Sequence, residues 1–109
     1  MFVGLLSALA ACDVVQKEAD TKFADQNFKT ALALIELHKV RYGSYPRDLS
    51  SLTYVGQWDV IALSSVEYGL LSNGYELNLK AISASNRLTY PPQFWLGLGL
   101  VRSNVKTSK

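Results

Sequence analysis

The chain has 109 residues, 49% of them hydrophobic, and 11 Lys and Arg against 9 Asp and Glu leave a formal charge of +2. So small a surplus, with no basic cluster, argues against a nucleic-acid partner, and a single cysteine excludes an internal disulfide. The length admits one small domain with a modest core and little stability to spare.

Phe2 to Ala11 is a run of about ten apolar or small residues, the size of a signal-peptide h-region. It is well short of the ~20 that a permanent membrane helix needs, and Asp13, Lys17 and Glu18 end it. Leu9-Ala10-Ala11-Cys12 then resembles the lipobox of bacterial lipoprotein precursors. That resemblance implies a diacylglycerol on the Cys12 sulfur, cleavage after Ala11 and, commonly, acylation of the new N-terminus. Residues 1–11 are then a signal peptide, 12–20 a lipidated tether and 21–109 the folded domain. Asp13 resembles the residue that retains enterobacterial lipoproteins in the inner membrane; the alternative is a solvated tether residue. No Lys or Arg precedes the apolar run, and a start upstream of Met1 would supply one. The other reading of this segment is a buried helical turn with Cys12 as an ordinary core residue. A stretch that is apolar on every side, without a polar stripe, speaks against it.

From Glu18 to Tyr42 strong helix formers dominate, and neither Pro nor Gly appears until Gly43. Phe28, Ala31, Leu32, Ile35 and Tyr42 follow the spacing of one buried helix face, widened by Leu34 and Leu37. Lys29, Glu36, Lys39 and Arg41 lie largely outside that face. Gly43 suits the helix stop, and Pro46 keeps the helix from resuming. Ser44 to Thr53 reads as a loop pinned by Tyr45, Leu49 and Leu52. Beyond it the period falls towards 2. Val66 to Leu71 and Tyr75 to Ala81 flank Ser72-Asn73-Gly74, and Asn-Gly between two such runs is a hairpin signal. The second run places Tyr75, Leu77, Leu79 and Ala81 on one face. A third strand is expected in Phe94 to Val101, after Pro91-Pro92. The expected fold class is α+β, a long N-terminal helix packed on a small antiparallel sheet.

Residues 31–52, ALALIELHKVRYGSYPRDLSSL, resemble the type IV pilin and type II secretion pseudopilin superfamily. Its long helix ends in a Gly-x-Tyr-Pro turn followed by a loop with spaced leucines. Gly43-Ser44-Tyr45-Pro46 and Asp48-Leu49-Ser50-Ser51-Leu52 match that pattern. The resemblance covers about half the chain and implies a pilin-like head. The family's Gly-Phe processing site, long apolar helix and fifth-residue glutamate are missing, so polymerisation by the family's usual helix core is not implied. No Asp or Glu follows Glu76, so the calcium site of some members is not carried over.

No constellation for catalysis is apparent, and no catalytic residue, metal ligand or cofactor is assigned. His38 is the only histidine, the carboxylates are scattered, and no serine lies in a Gly-x-Ser-x-Gly elbow. Gly97-Leu98-Gly99 lacks the third glycine of a dinucleotide loop and reads as a strand with close packing or a bulge. Most aromatics after the helix, Trp58 included, are expected to fill the core. Tyr90, Phe94 and Trp95 sit in a segment held extended by prolines and are the candidate contacts for an envelope protein partner. The expectation is a non-enzymatic lipoprotein of the bacterial cell membrane. It is anchored through Cys12, faces the periplasm or the cell exterior, and acts as a structural or protein-interaction component. The alternatives are a pseudopilin with a mis-called start, or a periplasmic ligand-binding or hydrolytic lipoprotein.

Overall fold

A computed structural model describes the backbone of residues 2–53 and 56–108, with side chains described from Glu18 onward. Cys12, Asp13 and the expected cleavage point lie outside the described side chains. Helix α1 runs Phe2–Tyr42, so Glu18 to Asp20, the end of the expected tether, are already helical. Ala24, Phe28, Ala31, Leu32 and Ile35 recur at three- and four-residue steps and are all buried, as the apolar spacing requires. The stripe stops there. Tyr42 is 64% exposed, because α1 outruns the layer it packs on; its ring lies against His38, centroids 4.7 Å apart. The helix ends as expected. Gly43 takes φ 83° and donates its N–H to the Lys39 carbonyl at 2.8 Å, a left-handed cap that costs glycine little.

After buried Pro46, a 3-10 turn (Leu49–Ser51) and buried Leu52 carry the chain across the core. Helix α2 (Gln57–Ser64) follows, where a strand-like period was expected. Val60 and Ile61 favour strands locally, but Ala62 and Leu63 are buried beside α1, and tertiary packing overrides propensity. Trp58, expected in the core, is 74% exposed on this helix.

Strands β1 (Val66–Leu71) and β2 (Gly74–Leu79) form the expected antiparallel hairpin, with Leu71 opposite Gly74. Ser72 and Asn73 are its turn, both at negative φ, and Gly74 closes it at φ 149°. Glycine is needed at 74 because a Cβ there would run into the Gly99 carbonyl. Tyr75, Leu77 and Leu79 face the core, as the alternation predicts; Ala81, beyond the strand, is exposed.

The rest of the sheet differs from expectation. Helix α3 (Ile82–Ser85), strand β3 (Thr89–Tyr90) and a 3-10 turn (Pro92–Trp95) intervene before β4 (Leu100–Arg102). Phe94 and Trp95 are therefore not in a strand, since Pro92 at the turn's start preorganises the 3-10 geometry. This long connection lets β4 join β2 in parallel, which a short turn could not do. The three-stranded sheet, in order β1-β2-β4, is mixed rather than antiparallel, and β3 pairs in parallel with β5 (Lys106–Thr107) in a second, two-stranded sheet. The architecture is α+β. Asn104 ties the two sheets together. Its side chain donates to the Leu79 carbonyl at 2.8 Å and accepts the Leu79 N–H at 2.9 Å, while its own N–H meets Asn78 Oδ1 at 2.8 Å.

Candidate functional site

Three polar or aromatic assemblies lie between α1 and the sheets. The first is centred on Glu36, which the sequence pattern placed outside the buried face. Its Oε1 accepts a hydrogen bond from Tyr45 at 3.0 Å, and its Oε2 accepts from Tyr75 at 2.7 Å and from the Gly99 N–H at 3.0 Å. One carboxylate thereby joins the helix, the Gly-Ser-Tyr-Pro turn, the start of β2 and the entry to β4. The signal was present in the spacing: Glu36 is four residues after buried Leu32 and adjoins Ile35, on the border of the apolar stripe.

Tyr45, Tyr68 and Tyr75 stack around this carboxylate, with centroids 5.0 and 5.7 Å from Tyr75. Burial pushes the Tyr75 phenol well above its ordinary range, and its bond to Glu36 adds to that. Burial also raises Tyr45, again helped by Glu36, and lifts Tyr68 to about 12. All three stay neutral donors at physiological pH, and the Tyr68 hydroxyl is spent on the Pro46 carbonyl. Tyr45 is half-buried rather than enclosed, yet its ring occupies the space that a Cβ at Gly99 would take.

The second assembly contains the expected partner contacts. Tyr90 is a core residue, 5% exposed, and its hydroxyl donates to Asp25 at 2.6 Å. Asp25 also pairs with Lys29 at 3.2 Å, whose Nζ lies 5.2 Å over the Tyr90 ring. Burial first, then Asp25, holds the Tyr90 phenol well above its usual range. Phe94 and Trp95 stack on Tyr90 at 4.3 and 5.8 Å, and Trp95 meets Phe28 edge-on at 6.5 Å. Both keep part of their surface exposed. Of the three candidate contacts, only Phe94 and Trp95 are therefore placed to meet another molecule. Sequence pattern alone could not separate them, because all three are aromatic and within three residues of Pro91-Pro92.

The third is a groove of about 530 Å³, lined by Pro92 and Trp95 together with 100–103 and 105–107. Arg102 and Lys106 stand on its rim, both exposed, and no carboxylate lines it. Trp95 Nε1 is the one buried side-chain donor without an acceptor among the described residues. An unpaired buried donor costs about 1–3 kcal/mol.

His38 does not join any of these assemblies; its ring N–H donates to the Ser44 carbonyl at 2.9 Å and so helps close the helix end. Among the described residues no group of three or more His, Cys, Asp or Glu side chains is placed to hold a metal. No helix, over the described residues, is long and apolar enough to cross a membrane. Compared with protein-family models, characterised proteins and solved structures, the chain matches none.

Proposed function

We propose that this protein is a lipid-anchored component of the bacterial envelope whose pilin-like head acts in structure or protein interaction, within a type II secretion or type IV pilus-like system. The anchor is Cys12, following Leu9-Ala10-Ala11, and the membrane is its first partner. Two or more acyl chains give stable attachment, at about 0.8 kcal/mol for each buried methylene.

The observation that carries the head's part of this reading is the Glu36 junction. The Gly43-Ser44-Tyr45-Pro46 turn that resembles pilins is tied through Tyr45 and Glu36 to Tyr75 and Gly99, so the turn works as a structural corner. The same geometry supports a non-enzymatic role, since Glu36 has its oxygens committed to three donors and Asp25 is committed to Tyr90 and Lys29. No cofactor, metal or nucleic acid enters the proposal.

Metabolic labelling with an alkyne palmitate tests it. The wild-type chain is expected to carry label and to fractionate with membranes, and Cys12→Ser to remain an unlabelled precursor. An unlabelled wild-type chain would remove the anchor from the proposal.

A further inference from the structure

Four consecutive residues, Leu100 to Ser103, form one wall of the groove. Side chains of a strand alternate between its two faces, so the three strand residues in a row, Leu100 to Arg102, line a cavity when the strand turns its edge towards it. β4 is paired on one side alone, with β2, and β5 likewise has only β3. The groove is therefore bordered by two edge strands, and Trp95, whose indole N–H has no acceptor among the described residues, also lines it.

The rim charge has one sign. Lys106 has no carboxylate paired with it among the described residues, and Arg102 reaches Glu76 only at 3.9 Å. The chain contains no Asp or Glu after Glu76. Charges on an edge strand ordinarily keep other strands away. A rim whose lysine is unpaired among the described residues and whose arginine is held only by a long ion pair does so selectively: it repels basic segments and admits an acidic one.

We infer that this groove binds an acidic, extended segment of a partner protein, which adds as a strand to the free edge of β4 with its carboxylates on Arg102 and Lys106. Backbone hydrogen bonds to the edge supply affinity, and the charged side chains supply selection. The volume, about 530 Å³, lies within the roughly 300–1,000 Å³ range of ligand-binding clefts. A second copy of the chain is the poorer occupant. Its own longer unpaired edge, β1, brings one carboxylate, Glu67, to meet Arg102 and Lys106. The inference rests on the reading of the head as an interaction module.

The test uses the full chain in an uncharged detergent, with amide chemical shifts followed by NMR. The probe is a peptide of about eight residues alternating valine and glutamate. Beside it are a valine–lysine peptide and an acidic peptide of the same charge interrupted by proline, which cannot donate to a ladder. The acidic peptide is expected to shift the amides of residues 100–107, and the other two to bind at least about tenfold more weakly. Arg102→Gln with Lys106→Glu, both on the exposed rim and with the fold checked by thermal melt, should reverse the preference towards the lysine peptide.

Equal binding of the proline-interrupted peptide would overturn strand addition, because charge alone would then explain it. Absence of shifts at residues 100–107, or saturation of the groove by a second copy of the chain at the same concentration, would also overturn the inference. Mass spectrometry of the same sample reads the lipid on Cys12. A lipidated chain that ignores the peptide refutes the groove alone, and an unlipidated chain that binds it refutes the anchor alone.

Discussion

Glu36 and Tyr75, 39 residues apart in the chain, meet at 2.7 Å between the carboxylate Oε2 and the phenol. The bond fastens the last third of α1 to the first core residue of β2. Tyr45 and the Gly99 N–H share the same carboxylate, so its loss is felt at three places. Hydrogen bonds to a charged group contribute about 1.5–3 kcal/mol each, and the Tyr75 hydroxyl would be left buried without an acceptor. Glu36→Ala is expected to cost about 3–4 kcal/mol in urea unfolding. Glu36→Gln, which keeps an acceptor, should cost about 1–2 kcal/mol. Equal and negligible effects would show that the carboxylate does not organise the junction.

The tyrosines make stability sensitive to alkali. The phenols of Tyr45, Tyr68, Tyr75 and Tyr90 are all raised in the folded state above their ordinary value of 10.0. The unfolded chain therefore releases protons at a pH where the folded chain retains them. With fewer protons bound to the unfolded state, stability falls as pH rises. The stabilisation is complete below about pH 10 and is lost as pH climbs towards the folded values, with Tyr68 reached at about 12. Circular dichroism and tyrosinate absorbance, followed together, should show ionisation of these residues coinciding with unfolding. Smooth ionisation at pH 10 with the fold intact would contradict the burial.

A Cβ at Gly99 would run into the Tyr45 ring, whereas one at Gly69 would meet nothing within 4 Å. Gly99→Ala should therefore destabilise by about 1–3 kcal/mol, the cost of forcing extra volume into packed surroundings. Gly69→Ala should change little, within about 0.5 kcal/mol. Adding Tyr45→Ala to Gly99→Ala removes the clash, so the double variant should be less destabilised than the two single costs combined. Strict additivity in thermal melts would place the Tyr45 ring elsewhere.

Asn104 stands in for a strand residue at the end of β2, with its side chain taking both the N–H and the carbonyl of Leu79. Asn104→Ala leaves those partly buried backbone groups unpaired and should cost about 2–3 kcal/mol. Hydrogen exchange should speed up first at Leu79 and Val105, because the link between the two sheets opens there.

Asp13 directly follows the proposed lipid site. If it acts in sorting, Asp13→Ser should move the protein from inner- towards outer-membrane fractions in an enterobacterial host, with palmitate labelling unchanged. An unchanged distribution would reduce Asp13 to a tether residue.

Features encoded by near neighbours were legible in the sequence. The stripe from Phe28 to Ile35, the stop at Gly43, the buried loop residue Leu52, and the alternation of Tyr75, Leu77 and Leu79 all depend on local periodicity and backbone preference. Where an element stops being covered is not local information, and so Tyr42 and Trp58 face solvent. Helix α2 and the parallel placement of β4 were decided by partners far along the chain. Glu36 shows the limit most clearly. A glutamate beside an apolar stripe reads as solvated until three donors, from residues 45, 75 and 99, arrive on its oxygens. The edge of β4 behaves the same way. Leu100, Val101 and Arg102 carry a strand's composition, but that one side of the strand stays unpaired beside Arg102 and Lys106 is settled only by the tertiary fold, because hydrogen-bond pairing is a property of neighbours in space.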